Sequence, residues 1–281
     1  MTFVIVISSF GHYNIQCLLS IAWRILVVMG VRVYLTSRVG IEVDGELAVD
    51  EGDFRGRQDR LVFAFLASER SRPVGSEELA EALWPDARAA VWKNGLSPIV
   101  SRLRSLVRLP PLSPAEILIS SNSGTYQLHL ALGSWVDVEA VTCAVDEAEG
   151  ALRAGKMQRA WGPALVAVAI AKREFLPGID GEWVDSQRSK LQRQLKRALE
   201  CLCRIWLWNR EFALAVEAGT QLVALDAFRE ASQQLLMQAH AANGNRAEAV
   251  KVYHRLRTLL GDELGTTPSA DTEALYLDLL A

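Results

Sequence analysis

The chain has 281 residues, half of them apolar and 22% charged, with a formal net charge of −3. That length holds one large domain or two ordinary ones, and the composition is globular, which excludes a fibrous or disordered chain. The near-neutral charge excludes a globally basic coat, so any nucleic-acid surface has to be a local basic patch.

Residues 1–30 are apolar but poorly patterned. Two runs, Phe3–Ile7 and Ile15–Met29, flank the polar cluster His12, Asn14 and Gln16, and the second run carries Arg24. Neither cleanly reaches the roughly 20 mostly apolar residues of a spanning helix. The basic start and small-residue cleavage site of a secretory leader are not evident. The stretch is read as an extension, non-native or disordered, with Met29 as an alternative start. A packed extra element and a membrane anchor are the other two readings.

From Val31 the pattern is that of a domain. Val31, Val33 and Leu35 alternate, and Val39, Ile41 and Val43 follow after a polar break. Asp44-Gly45 is a strong turn dipeptide, and Leu47–Val49 comes next, so short antiparallel strands joined by a hairpin are predicted. Asp59 is placed as the N-cap of a helix carrying Leu61, Val62, Phe63, Phe65 and Leu66. Ser71–Gly75 is a break, and Ser76 is placed as the cap of a second helix, Glu77–Leu83, with acids in its first turn. A third helix is predicted from about Ala89 to Val107, ended by Pro110-Pro111. Ile117 and Ile119, then Tyr126, Leu128 and Leu130, alternate around Ser121–Gly124, the pattern of a closing β-hairpin. Strands, three helices and a hairpin in this order define an α+β winged helix-turn-helix domain over residues 31–132, whose third helix would enter a major groove.

From Trp135 helical periodicity runs to the end, broken at Gly155, Gly162-Pro163, Pro177-Gly178, Gly244-Asn245 and Gly265–Pro268. Helices joined by short turns predict an all-α, tetratricopeptide-like domain over residues 133–281. Ala231–Leu260 is the segment closest to such a repeat.

Arg88–Arg108 contains Arg88, Lys93, Arg102, Arg104 and Arg108 and no acid. With an apolar stripe at Leu96, Val100, Leu103 and Val107, the side chains of Ser97, Ser101, Arg102, Arg104 and Ser105 turn away from the core. Arginines pair with phosphates or with guanine edges, and small serines permit close approach. A solvated basic face is the alternative, and the flanking winged-helix pattern favours DNA. In the hairpin, Gly124 permits a positive φ and Thr125 offers a hydroxyl to a phosphate; an ordinary turn is an equal reading.

The run Arg188, Lys190, Arg193, Lys196 and Arg197 reads as a solvated helix face. The tryptophans read as core anchors. Cys17, Cys143, Cys201 and Cys203 have no C-x-x-C spacing, and His12, His129, His240 and His254 are scattered, so reduced thiols, mostly buried, are expected and a metal site is not. No phosphate loop, dinucleotide fingerprint, zincin motif or nucleophile elbow occurs, so neither an enzyme nor a cofactor is expected.

With these residues in view, the chain resembles the antibiotic-regulatory activator family of actinobacteria, in which an OmpR-like winged helix precedes a bacterial transcriptional activator domain. The N-terminal resemblance rests on Val31–Leu35, Leu79-Ala80 with Leu83-Trp84, Leu96–Leu106 and Gly124–Leu128. The C-terminal one rests on Trp135-Val136-Asp137, on Phe175–Gly178 with Glu182–Val184, and on Leu264-Gly265 with Pro268-Ser269 and Thr272. The resemblance implies a cytoplasmic activator that binds promoter DNA, as a homodimer or side-by-side protomers, and recruits RNA polymerase. It implies control of secondary-metabolite or stress genes. Some relatives continue into a nucleotide-binding domain, which the length of this chain makes unexpected, and a membrane partner is not expected.

Gly95 and Pro98 depart from the family pattern, because both weaken a helix interior. A helix that starts near Leu96, with Ser97 at its N-cap, would accommodate them and leave Arg102 and Arg104 as the firmer contacts. The same departure motivates the alternative function, a helical scaffold for a protein partner whose DNA binding has weakened or been lost.

Overall fold

The computed structural model describes residues 30–85 and 89–281. The extension read at residues 1–29 lies outside the described residues. The chain divides between Val136 and Asp137 into two compact units, each with its own core.

In the first unit, β1 (Val31–Tyr34), β2 (Gly40–Val43) and β3 (Glu46–Val49) run antiparallel. Their alternation buries Val31, Val33, Ile41, Val43 and Val49 on one side. Asp44 and Gly45 both take positive φ, 51° and 89°, as a hairpin turn matched to strand twist requires. Sequence reasoning missed a fourth strand. Trp135–Val136 pairs in parallel with Arg32-Val33, and the Trp135 ring meets Tyr34 edge-on at 5.3 Å. The first unit therefore runs past the boundary read at residue 132.

The first helix, α1 (Arg57–Ser68), buries every residue from Leu61 to Ala67. A helix apolar on all sides is a central one. Its N-cap is Gly56 rather than Asp59, and Asp59 is a buried helical residue with another task. Next come β4 (Val74–Gly75), α2 (Ser76–Leu83), α3 (Ala89–Leu106), β5 (Ile117–Asn122) and β6 (Thr125–Leu130). The predicted break at Ser71–Gly75 thus holds a short strand, which pairs with Thr125-Tyr126 and completes a three-stranded sheet in the order β4-β6-β5. Ser76 is likewise not a cap: Gly75 holds that position, and the Ser76 hydroxyl donates to the Gly124 carbonyl at 2.5 Å.

The second unit is all helical: α4 (Asp137–Arg153), α5 (Met157–Ala171), α6 (Glu182–Trp208), α7 (Phe212–Leu225), α8 (Glu230–Ala242), α9 (Arg246–Leu264) and α10 (Ala270–Leu280). One turn recurs three times. After α4, α6 and α8 a left-handed residue, Gly155, Arg210 or Gly244, reverses the chain. Each time the next amide donates to a carbonyl five residues back, Lys156 to Ala151, Glu211 to Trp206 and Asn245 to His240. This is the Schellman closure, which satisfies carbonyls left open at a helix end. Arg210 and Gly244 stand one tetratricopeptide length apart, about 34 residues, so the repeat is a property of the backbone where the side chains show it faintly.

Between α5 and α6, the Arg188 side chain enters the Phe175–Ile179 loop. It donates to the carbonyls of Phe175, Leu176 and Ile179 at 3.2, 3.3 and 3.0 Å. Those three side chains are buried, and Leu176 holds a positive φ of 45°. At the far end Glu230 Oε2 accepts from the Ser269 amide, the Ser269 hydroxyl and the fully buried Thr272 hydroxyl, at 2.8, 2.7 and 2.6 Å. Partial burial works against the Glu230 charge, but these bonds hold its carboxyl below the usual range.

Candidate nucleic-acid interface

The α3 helix turns Leu96, Ile99, Val100, Leu103 and Leu106 into the core, and Val107 just past its end is buried too. At about 100° per residue, the opposite arc holds Ser97, Pro98, Ser101 and Ser105, all exposed, and Arg108, in the turn just past the helix, is exposed as well. Ser105 Oγ donates to the Ser101 carbonyl at 3.1 Å, as a hydroxyl on a helix face commonly does. The Lys93 side chain lies outside the described residues.

The expectation of a helix starting near Leu96 is corrected here, because α3 begins at Ala89 and passes through both Gly95 and Pro98. Ser97 is an exposed helical residue, not an N-cap. Gly95 has a packing reason: a Cβ there would lie 2.7 Å from Cη2 of Trp84. The glycine admits the indole against the helix, and the ring covers the weakened turn. Pro98 lies on the exposed arc.

Arg102 and Arg104 border the arc on either side, and both are engaged within the unit. Arg102 Nε and Nη2 grip the two oxygens of Asp59 on α1 at 2.9 and 2.5 Å, and the Asp59 side chain is only 3% exposed. The hydrogen bond from Arg102 to this carboxylate raises the guanidinium pKa still further. On the other border Arg104 Nε donates to the Ile119 carbonyl of β5 at 2.9 Å. Sequence reasoning missed Asp59 as a partner. Its signal was an acid on the same helical stripe as Val62, Phe63 and Leu66.

The β5–β6 hairpin closes on Ser123 and Gly124, with φ of 46° and 83°. The Thr125 hydroxyl donates to the Asn122 carbonyl at 2.7 Å, so its proton closes the turn instead of remaining available to a ligand. The Gly124 carbonyl accepts from both the amide and the hydroxyl of Ser76, which docks the hairpin tip on the start of α2. Between them lies a recess of 390 Å³ lined by Ser76, Glu77, Leu96, Ser123, Gly124 and Tyr126. Beside it Arg72 binds Glu78, and that hydrogen bond holds the Glu78 carboxyl below the usual range.

Elsewhere the basic run on α6 is less free than predicted. Arg188 clasps its loop, Lys196 pairs with Asp226, and Arg197 pairs with Asp146 and Glu149. Burial pushes the Cys201 and Cys203 thiols up to about 11 and about 12, whereas Cys143 is exposed. Trp206 lies in the core, but Trp208 is 55% exposed and is not the anchor expected. Among the described residues no group of His, Cys, Asp and Glu side chains is gathered to hold a metal, and no helix is long and apolar enough to cross a membrane.

Residues 136–280 match the bacterial transcriptional activator domain family, and the chain belongs to that family. AfsR, a regulatory protein of Streptomyces coelicolor, is 30% identical over 223 residues, 79% of this chain. The chain spans only 22% of the length of AfsR. MoaR1, a transcriptional regulatory protein of Mycobacterium tuberculosis, is 25% identical over 232 residues, 79% of this chain and 72% of MoaR1. A solved structure of Mycobacterium tuberculosis EmbR with a low-affinity phosphopeptide superposes with a TM-score of 0.75 at 20% identity, covering 89% of this chain and 65% of EmbR. The fold is shared with that structure, and the relatives named here are regulatory proteins.

Proposed function

We propose that the chain is a DNA-binding transcription regulator, an activator that recruits RNA polymerase at its promoters, and that its first unit is the winged helix-turn-helix which reads the duplex. In this reading α2 and α3 form the helix-turn-helix and the outer arc of α3 enters the major groove. Ser97, Ser101 and Ser105 approach the base edges, Lys93 and Arg108 meet phosphates, and the β5–β6 hairpin, with Thr125 beside its tip, lies along the backbone. The observation that carries the proposal is the exposed arc of α3, set in a stretch from Arg88 to Arg108 without a single acid. Small serines there permit close approach to a duplex. The family match and the regulators named above support the same reading. The protein acts without catalysis, in the cytoplasm.

The scaffold alternative drew on Gly95 and Pro98. It loses that support, because α3 continues through both and Gly95 is filled by Trp84.

The test is enrichment of duplexes from a random pool by the full chain at low salt, followed by titration of the winners. A common sequence should emerge, with binding that weakens steeply as salt rises, the logarithm of the affinity falling with slope of about −0.9 per phosphate neutralised. Recovery of no preferred sequence would contradict the proposal.

A further inference from the structure

The two arginines bordering the α3 arc look, by type and position, like the groups that should touch DNA. Both are already bonded within the unit. Arg102 gives two of its nitrogens to a carboxylate that is almost wholly buried. A fork-to-fork pair fixes direction as well as distance, because both N–H···O bonds must stay parallel. Arg104 makes its bond to a main-chain oxygen of β5. Positions 102 and 104 lie on opposite flanks of the helix, roughly 200° apart at 100° per residue. One ties α3 to α1 and the other ties it to the hairpin sheet. A helix held on both flanks cannot roll about its own axis, and roll decides which side chains face outward.

We infer that Arg102 is a positioning residue: through its paired bonds to Asp59 it sets the roll of α3, and so places Ser97, Ser101 and Ser105 against the duplex, with Arg104 bracing the other flank. The inference rests on the DNA-reading proposal and assigns to the buried Asp59 a part in sequence recognition.

Opposite signs separate this from direct contact. Asp59→Asn removes an acid near the interface, and on electrostatic grounds alone it would tighten DNA binding. If Arg102 positions the helix, Asp59→Asn instead weakens binding of the enriched duplex by about tenfold or more, the scale of one lost base contact. Binding to an unrelated duplex of the same length stays unchanged. Arg102→Lys keeps the charge and most of the stem but loses the fork, so it falls by a similar factor, and it serves as the decisive arm if Asp59→Asn unfolds. The salt slope of both variants stays at the parent value, since no phosphate contact is lost. The double variant Asp59→Asn with Arg102→Gln is no worse than the weaker single one, because both changes break the same link. The inference is overturned if Asp59→Asn binds more tightly, if Arg102→Lys binds as well as the parent, or if the salt slope of Arg102→Gln drops by about one, the mark of a lost phosphate contact. A parent chain that enriches no duplex would instead contradict DNA reading itself, and the assignment with it.

Discussion

The helical unit repeats one solution, whereas the long-range ties described in the first unit each differ from the others. Three turns in the helical unit close with the same left-handed residue and the same five-residue hydrogen bond. In the first unit, Asp59 with Arg102, Arg104 with Ile119 and Ser76 with Gly124 have no counterparts among themselves. A stack of like hairpins needs only that neighbours fit. A recognition surface has to present particular side chains at particular angles, and that requires dedicated braces. Order in the helical unit is spread over a periodic scaffold, while the first unit is tied by a few long-range bonds.

The largest expected effect probes an exception within the regular unit. Arg188→Ala leaves three carbonyls of the Phe175–Ile179 loop without their donor, at a cost of about 2–4 kcal/mol. Denaturant unfolding should show the loss, and amide exchange should confine it to the second unit. Exchange rising equally in β1–β3 would break the comparison. Two glycines give smaller effects and a contrast between the units. A Cβ at Gly219 would lie 3.2 Å from the Leu236 Cα, a backbone atom that cannot swing aside, whereas at Gly95 it meets the outer edge of the Trp84 ring. Gly219→Ala should cost about 2 kcal/mol and Gly95→Ala about 1 kcal/mol, within the range of overpacked cores. Thermal melts of the two variants would reverse that order if the Trp84 ring were the more rigid neighbour. The smallest effect is a gain. Arg210 occupies the turn position that Gly155 and Gly244 hold, with a φ of 64°. Arg210→Gly should stabilise the chain by about 1 kcal/mol, because glycine bears no penalty in the left-handed region.

Much of this organisation was legible in the sequence wherever a pattern is local. Alternation gave the strands around Asp44-Gly45, and apolar spacing placed α3 within a residue of its observed end. The short strands at Val74-Gly75 and Trp135-Val136 were not legible, because two residues cannot show a period and their pairing is decided by distant partners. The same holds for the site. The exposed serines followed from helical spacing, but the commitment of Arg102 did not, since its partner lies 43 residues away in the chain. Helix-start chemistry misled twice: Asp59 and Ser76 are good capping residues, yet glycines hold both caps, and the acid and the hydroxyl serve tertiary bonds. Gly95 reads as a weakness because propensity ignores Trp84, whose ring fills the space a side chain would have taken.

The central claim, that the outer arc of α3 faces a duplex, is tested most directly by one substitution on it. Ser101 is exposed, so Ser101→Glu should change stability by less than about 0.5 kcal/mol and leave the melting temperature almost unchanged. A carboxylate there would face phosphates and base-edge acceptors, and equilibrium binding of the full chain to its enriched duplex should fall by about a hundredfold. Ser101→Glu that binds that duplex as tightly as the parent would contradict the account.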